Sequence, residues 1–312
     1  MSTGPVGAWG REPRARLLSV VIPTKDRQAS LERCLRSVRQ QTIGGVEIVV
    51  VDDGSKVPVG DLGASARCIR HEINRGACAA RNTGFQNSRG RYVAFFDDDT
   101  ELCDPTALAS AIRWFERVPR CEAVGFRQTD ASGRTRGANP ADSPWACAAN
   151  RFYSYGCVIA RHALEAVGGF REILGYYHEE IELSLKLIDR DAVIVYDPAL
   201  TVLHHEDQTG RDWRRISRLS ARNALLTVAL AYPTLLVPVG AGRALWNSIC
   251  AFRSEIGIDP LGKLAAVMGA VRLLPTALAQ RSPVRVSTLF KYRALGRHAV
   301  ARDELALPAR EG

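Results

Sequence analysis

Short, uninterrupted apolar runs recur over the first third of the chain, and each ends at charged or turn-forming residues. Runs of this length between turn signals are typical of strands that are buried on both faces. Three strong runs and one weaker run predict strands at residues 18–22, 46–51, 92–96 and 67–71.

The segments between these runs have the spacing of amphipathic helices. One helix face is formed by apolar residues at i, i+3, i+4 and i+7, namely Leu31, Cys34, Leu35 and Val38. Residues 76–88 predict a second helix, and Asp104 followed by Pro105 predicts the start of a third that runs to Phe115. Alternating strands and helices predict an α/β fold with a mostly parallel sheet that helices flank on both faces.

The pattern weakens in the middle of the chain and then changes character. Weaker strands are predicted at 122–126, 155–160 and 192–196, and a helix at 179–189. Beyond residue 211 strand patterns vanish, and Ala/Leu/Val-rich helical stretches with Arg replace them. We therefore expect three parts: a disordered basic tail at 1–17, a catalytic domain at 18–210, and a C-terminal α-helical extension at 211–312.

Composition narrows the class of protein. The chain has 312 residues, 46% apolar and 24% charged, which excludes global disorder, a collagen-like fibre and a multi-span membrane protein. Net charge is +9, and because only five of the 42 basic residues are Lys, 37 are Arg. Such a chain favours acidic partners: phosphate-bearing small molecules, anionic lipid or nucleic acid.

The cysteines and the N-terminal stretch indicate in which cellular compartment the protein is expected. The eight Cys residues form no CxxC pair and have no zinc-type spacing to His, so we expect core thiols in a reducing cytoplasm. Residues 1–17 carry Arg but no apolar run typical of a secretory signal. The expected location is cytoplasmic.

Acidic residues follow three of the predicted strands. They are Asp26, the pair Asp52–Asp53 and the run 97–99. Because ligands of open parallel sheets bind beyond the carboxyl ends of the strands, all three groups are expected at one crevice. Asp97 and Asp99 present carboxylates suited to a hard divalent metal, which would neutralise a departing diphosphate. The alternative is that these acids only form turns and helix caps.

The same residues resemble the successive motifs of family 2 glycosyltransferases. The resemblance covers residues 18–207 and rests on an ordered series: 19–27 (SVVIPTKDR), 51–55 (VDDGS), 74–84 (NRGACAARNTG), 95–100 (FFDDDT), 168–170 (GGF), 179–183 (EEIEL) and His204. It implies a GT-A, Rossmann-like fold and an inverting transferase that uses a nucleotide-diphospho-sugar. The implied product class is a hexosyl or deoxyhexosyl linkage in polysaccharide biosynthesis at the cell envelope.

The resemblance also implies roles for single residues. Pro23, Thr24 and Asp26 resemble the loop that contacts the nucleotide, Asp53 the acid that contacts its base, and Arg81 a residue near the diphosphate or donor sugar. Asp98 is included with the donor-binding residues. Asp97 and Asp99 match the DxD that binds Mn²⁺ or Mg²⁺, and His204, favoured over His205, matches a histidine of the metal shell.

The general base is expected in the segment EEIEL. The family pattern there is Glu-Asp-x-Asp-Leu, so Glu180 aligns with the base and Glu179 is the second choice. Glu182, two positions further along a helix, faces elsewhere and is expected to be structural. Alternatively, acids at this helix start only complement the helix dipole.

The C-terminal region leaves three interpretations open. Residues 224–242 carry no charge and are long enough to span a bilayer, but Pro233, Pro238, Gly240 and Gly242 interrupt them. Helices lying in a membrane interface are favoured over packed helices and over a true span. The protein is therefore expected on the inner face of the cell membrane, with a glycan or lipid-linked glycan as acceptor.

Other classes of protein fit less well. A DxDxT phosphatase motif is out of register because Glu101 occupies the place of its Thr, and a dinucleotide enzyme would need GxGxxG after the first strand. A nucleic-acid-binding module is disfavoured because the crevice is acidic and no binding motif is found, so nucleic acid is not expected as a partner. A catalytically inactive homologue and a basic membrane-binding protein remain as alternatives.

Overall fold

A computed structural model describes residues 17–130, 132–135, 139–205, 212–250, 256–257 and 259–297. The disordered tail predicted at 1–17 lies outside this range apart from its last residue, as does the expected boundary at 210. Strands within the described residues are Leu18–Thr24 (β1), Val46–Asp53 (β2), Ala66–His71 (β3), Tyr92–Phe96 (β4), Thr100–Leu102 (β5), Cys121–Thr129 (β6), Cys147–Ala148 (β7), Gly156–Ala160 (β8) and Val193–His204 (β9).

Helices surround these strands and continue beyond them. Their bounds within the described residues are Gln28–Arg39 (α1), Ala77–Gln86 (α2), Ala107–Arg117 (α3), Arg161–Val167 (α4), Glu179–Asp189 (α5), Trp213–Ala231 (α6), Val237–Cys250 (α7), Pro260–Ala279 (α8) and Val286–Arg297 (α9).

All nine strands belong to one mixed, mostly parallel sheet. Its order is β3-β2-β1-β4-β8-β6-β9-β5. Strand β7 lies off this path and pairs with β9. The first four strands are parallel, β8 runs antiparallel to both of its neighbours, and β6 and β9 are parallel. Strands β1, β2 and β4 are buried almost throughout, which explains their uninterrupted apolar runs. The α/β class predicted from the sequence is confirmed.

The predicted elements differ from the observed ones mainly at their ends. Helix α3 begins at Ala107 rather than at Pro105, because Asp104 Oδ1 accepts hydrogen bonds from the backbone N–H and hydroxyl of Thr106 and closes a turn before the helix. Strand β9 is longer than predicted, since its pairing with β6 shifts register around Pro198 and then resumes up to His204.

Part of the C-terminal region packs against the sheet domain. Leu226 and Leu230 of α6 pack with Leu174 and with Ala270 of α8, and α9 packs against α5 through Leu289. These contacts agree with the interpretation of packed helices for these faces.

The stretch 224–242 is not a single helix, so the interpretation of a true span there is wrong. Helix α6 ends at Ala231, and Pro233 separates it from a 3₁₀ turn and from α7. Helix α8 is the one described helix that is long and apolar enough to cross a membrane by length and composition, which is weak evidence by itself. Its exposed apolar residues are Leu261, Leu264, Met268, Val271, Leu274 and Leu278.

Candidate active site

A cleft of about 560 Å³ opens at the carboxyl ends of β1, β2 and β4. Its lining comes from these strand ends, from residues 174–177 and from the first half of α6. The cleft is lined by Pro23, Thr24, Lys25, Arg27, Asp53, Asn74, Gly76, Ala77, Arg81, Asp97, Asp98, Asp99, Leu174, Gly175, Tyr176, Tyr177, His204, Asp212, Arg215, Ile216, Leu219 and Arg222.

Two carboxylates and one imidazole meet in this cleft. One ligand atom each of Asp97, Asp99 and His204 lies within 4.8 Å of the other two. Strand β9 delivers the imidazole, because His204 pairs with Thr100 directly after the acidic run, and its Nε2 lies 3.0 Å from Asp99 Oδ1. Two carboxylate oxygens with an imidazole nitrogen are a donor set that fits a divalent cation. His205 is engaged elsewhere, 2.9 Å from Glu101 Oε2.

Asp98 and Asp99 share a cation that sequence reasoning did not single out. Arg27 Nη1 donates to Asp99 Oδ2 at 2.7 Å and to Asp98 Oδ1 at 3.2 Å, and Thr24 Oγ1 donates to Asp98 Oδ2 at 2.7 Å. Burial raises the pKa of Asp98 to about 6 despite these donors. Burial also acts to raise the pKa of Asp99, but the contact with His204 outweighs it, so that pKa is lowered.

Asp52 and Asp53, the last two residues of β2, lie in different environments. Asp53 lines the cleft and accepts hydrogen bonds from the backbone N–H groups of Arg75 and Gly76, at 2.9 and 2.8 Å, and contacts His71 Nδ1 at 2.7 Å. Asp52 is fully buried and is paired with Arg70. Asp53 thus orders the turn that leads into α2.

Asp26 lies beside the cleft rather than in its lining. Its backbone is left-handed, with φ of 55°, and its carboxylate accepts from Lys56 N at 2.7 Å. This backbone hydrogen bond, followed by one from Lys25, lowers the pKa of Asp26. The role of Asp26 near the nucleotide stays a prediction, as do those of the other site residues.

Arg81 links the metal-type cluster to the EEIEL segment. It lies on α2, is only 1% exposed, and donates from Nη2 to Asp97 Oδ1 at 2.8 Å and from Nη1 to Glu179 Oε1 at 3.2 Å. The ring of Phe170 lies 5.7 Å from its guanidinium carbon. Although burial opposes it, the charge of Asp97 and Glu179 raises the pKa of Arg81, so the side chain stays cationic.

The three glutamates of α5 have separate surroundings. Glu179 is buried behind Arg81, and burial together with Glu180 raises its pKa to about 8. Glu180 is half-buried, and its Oε1 accepts from Ser154 Oγ at 2.8 Å and from Ser154 N at 3.2 Å. Neither of the two is among the residues that line the cleft.

Glu182 is enclosed by two cations. Arg171 Nε lies 3.0 Å from its Oε1, and Lys186 Nζ lies 3.0 Å from its Oε2. Lys186 is itself only 6% exposed and donates to the carbonyl of Val167 at 2.8 Å. This arrangement fits the structural role expected for Glu182 from its position on the helix.

Residues before α5 form a wall of the cleft that is fixed from α6. Asn223 is fully buried, and its side-chain amide nitrogen lies 2.7, 2.7 and 2.8 Å from the carbonyl oxygens of Leu174, Tyr176 and Tyr177. Tyr177 and His178 both have positive φ, at 70° and 69°. Sequence reasoning missed Asn223, because a single Asn just before an apolar helical stretch gives no signal of its distant partners.

The aromatic residues in and around the middle segment have different surroundings. Tyr176 and Tyr177 line the cleft, with ring centroids 4.4 Å apart. Tyr153 and Tyr155 stack on each other at 5.5 Å, and Phe152 is fully buried in the core. Trp145 is 71% exposed and borders a separate small pocket of about 240 Å³, together with Arg127.

Comparison with known proteins gives both sequence and family matches. Residues 19–156 match the family described as "Glycosyl transferase family 2". The pre-mycofactocin glycosyltransferase of Mycobacterium tuberculosis is 30% identical over 277 residues, covering 83% of this chain and 57% of the relative. The chain thus spans about 57% of the length of that relative. A GalNAc(5)-diNAcBac-PP-undecaprenol beta-1,3-glucosyltransferase of Campylobacter jejuni is 36% identical over 93 residues, covering 27% of this chain and 30% of the relative.

Solved structures resemble most of the chain. The mannosyltransferase PcManGT from Pyrobaculum calidifontis, in complex with GDP-Man and Mn²⁺, matches with a TM-score of 0.56 and 18% identity, covering 92% of this chain and 90% of that chain. TarS 1–349 from S. aureus, in complex with UDP, matches with a TM-score of 0.57 and 15% identity, covering 90% of each chain. At these identities the likeness concerns the fold.

Proposed function

Since the chain belongs to glycosyl transferase family 2 and has its GT-A fold, we propose that it transfers a hexosyl or deoxyhexosyl group from a nucleotide-diphospho-sugar to an acceptor, with inversion. The observation that carries the proposal is the meeting of Asp97, Asp99 and His204 in a cleft at the carboxyl ends of the strands. Solved relatives of the same fold are complexes with GDP-Man and Mn²⁺ or with UDP.

Asp97, Asp99 and His204 are the residues that would hold Mn²⁺ or Mg²⁺. When bound, such a cation supplies Lewis-acid stabilisation of the negative charge on a departing diphosphate. Arg81 adds a fixed positive charge beside Asp97, and its ion pair with Asp97 and its hydrogen bond to Glu179 keep it in place. Arg27 holds the carboxylates of Asp98 and Asp99 in position through ion pairs.

The donor-binding residues are proposed along the same edge of the sheet. Pro23, Thr24, Asp53 and Asp98 line the cleft, and Thr24 holds Asp98 by a hydrogen bond of 2.7 Å. Asp53 accepts hydrogen bonds from two backbone N–H groups and so fixes the turn before α2. A nucleoside that binds beside this turn would meet a preformed surface. Asp26 is assigned to the nucleotide through the resemblance alone.

Glu180 is proposed as the general base. It is half-buried, whereas Glu179 is enclosed and already bound to Arg81. Both hydrogen bonds from Ser154 go to Oε1 of Glu180, and Oε2 takes part in neither of them. A carboxylate oriented in this way can accept the proton of an acceptor hydroxyl as the glycosidic bond forms.

The catalytic unit is proposed to extend beyond residues 18–210 into α6, because Arg215, Leu219 and Arg222 line the same cleft. The acceptor is proposed to be a glycan or lipid-linked glycan in polysaccharide biosynthesis. A relative named for a PP-undecaprenol substrate supports this, as does the exposed apolar face of α8 for contact with the inner face of the cell membrane. The location that follows is cytoplasmic and peripheral.

A nucleotide titration tests the proposal. Binding of UDP and GDP to the full chain is measured by calorimetry with and without Mn²⁺, in the wild type and in Asp97→Asn and Asp99→Asn. We expect binding of at least one nucleotide that requires Mn²⁺, and its loss in both variants. Glu116→Gln, an exposed change on α3, is the matched control and should bind like the wild type. Mn²⁺-independent binding, or equal binding by all variants, contradicts the proposal.

A donor panel tests the activity itself. Nucleotide sugars are incubated with the full chain and Mn²⁺, and released nucleotide diphosphate is measured. Turnover with one donor that is lost in Asp97→Asn and Asp99→Asn supports a transferase. If nucleotide binds but no donor turns over, the chain is an inactive homologue and the enzyme proposal is wrong.

A further inference from the structure

One face of α6 turns two arginines toward the cleft. Arg215, Ile216, Leu219 and Arg222 all line it, at positions i, i+1, i+4 and i+7 of the helix. The two arginine Cα atoms are about 10 Å apart along the helix axis, so their long side chains can converge on one group between them. This face lines the same cleft as the strand ends.

The charges of the cleft are unevenly matched. On the strand side, Arg27 is paired with Asp98 and Asp99, and Arg81 with Asp97. On the α6 side, neither Arg215 nor Arg222 has a carboxylate within ion-pair distance among the residues that the structure describes. Within that part of the chain, these two cations are not committed to an acidic partner, which favours an anion that enters the cleft.

Arg222 is held in place by uncharged groups. Its Nε donates to Asn223 Oδ1 at 2.9 Å, and its Nη2 donates to the carbonyl of Leu174 at 3.2 Å. Burial lowers the pKa of Arg222, which shows that water is partly withdrawn from the guanidinium without a compensating negative charge. An oriented, partly desolvated guanidinium of this kind is suited to bidentate binding of a phosphate.

We infer that Arg215 and Arg222 form a subsite for a phosphate group of a substrate, on the α6 side of the cleft that Asp97 and Asp99 also line. The inference rests on the proposed function, because it places a second anion-binding element beside the proposed donor site. The phosphate can belong to the nucleotide-diphospho-sugar or to a phosphate-linked acceptor, and the experiment separates these two sources.

The probe is inorganic pyrophosphate, titrated without divalent metal into the full chain and followed by calorimetry. Arg215→Gln and Arg222→Gln should each bind at least about tenfold more weakly than the wild type, since each loses a charge-assisted contact. Arg218→Gln is the matched control, because Arg218 is an exposed residue of the same helix outside the cleft lining, and it should bind like the wild type. Equal binding by all four proteins, or no binding by the wild type, overturns the inference.

A folding measurement separates a loss of binding from a loss of the folded state. Arg222→Gln removes a hydrogen bond to Leu174, so thermal unfolding is recorded for each variant. Arg222→Lys retains the charge and should recover a large part of the pyrophosphate affinity. If Arg222→Lys and Arg222→Gln bind pyrophosphate equally weakly while both remain folded, positive charge at position 222 does not contribute to binding. The inference is then wrong at this position.

The source of the phosphate is determined by a second titration, of UDP and GDP with Mn²⁺. Weaker nucleotide binding by the two Gln variants assigns the subsite to the donor diphosphate. Unchanged nucleotide binding, with weakened pyrophosphate binding, assigns it to the acceptor. Failure of the proposed function looks different, since nucleotide binding would then be insensitive to Asp97→Asn and Asp99→Asn whatever the arginine variants do.

Discussion

Replacing Glu182 by Gln removes one negative charge from a buried site without changing its shape. In the wild type the Glu182 carboxylate lies between Arg171 and Lys186, at 3.0 Å from a nitrogen of each. After the change, Arg171 is still 22% exposed and can be hydrated. Lys186, which is 6% exposed, keeps only the backbone carbonyls of Val167 and Gly169. The free energy of unfolding should therefore fall because of Lys186.

The size of this loss can be bounded in two ways. Removing one partner of a buried ion pair typically costs about 3–5 kcal/mol. Independently, the cost cannot exceed that of releasing the proton of Lys186, whose ordinary pKa is 10.5. At pH 7 that release costs about 4.8 kcal/mol, at 1.36 kcal/mol for each pH unit. The first argument predicts a decrease of about 3–5 kcal/mol, and the second sets about 4.8 kcal/mol as the upper limit for the part that is due to the charge of Lys186.

Urea unfolding at pH 7, followed by circular dichroism, measures the decrease. Lys186→Met in the Glu182→Gln background should restore a large part of the stability, because the uncompensated buried charge is then gone. Burial already lowers the pKa of Lys186, and without Glu182 it falls further, so the unfolded chain binds more protons and the deficit should shrink as the pH rises toward 10.5. A loss below about 1 kcal/mol, or no rescue by Lys186→Met, would refute this reasoning.

Three further predictions concern Glu180, Glu179 and Asn223. Glu180→Gln should lower kcat by about 10²–10⁴-fold while the free energy of unfolding changes by less than about 1 kcal/mol, and equal turnover would exclude Glu180 as the base. Folded Glu179 holds its proton up to about pH 8 whereas the unfolded chain releases it near 4.5, so its stabilisation is complete below pH 4.5 and is lost as the pH rises through about 8. Urea unfolding across this range should show a smaller decrease for Glu179→Gln than for the wild type, and parallel curves would contradict the assignment. Asn223→Ala should cost about 1–3 kcal/mol, because it leaves buried carbonyls of the cleft wall without their donor, whereas Asn87→Ala on the exposed end of α2 should cost much less; similar losses would contradict that role.

The strands and the placement of the acids could be predicted because both depend on local pattern and on one rule of topology. Buried parallel strands read as continuous apolar runs, and the carboxyl ends of neighbouring parallel strands meet at one edge. That is why Asp53, Asp97 and Asp99 were expected together, and all three line the cleft. His204 could be placed only through the family resemblance, because β9 reaches it after a shift in register that no local pattern indicates.

Pairing between distant charges could not be predicted in the same way. Arg27 and Asp98 are separated by 71 positions, and Arg81 and Glu179 by 98. A sequence rich in Arg offers many partners for each acid, and the partner is selected by how α1, α2 and α5 pack on the sheet. The separate roles of Glu179, Glu180 and Glu182 follow from that packing, since adjacent residues on a helix point in different directions.

The C-terminal helices show why an apolar pattern alone misassigns a segment. Residues 224–242 carry no charge, and such a stretch is equally compatible with lipid and with a protein surface. The discriminating residue lies just before it: Asn223 is polar, fully buried, and bonded to three carbonyls of the cleft wall. A fully buried amide must find partners inside the protein, so α6 belongs to the folded core of the site rather than to a membrane-bound appendage. The membrane contact proposed above then falls to α8, whose apolar face is exposed and which packs with α6 through Ala270 and Ala277.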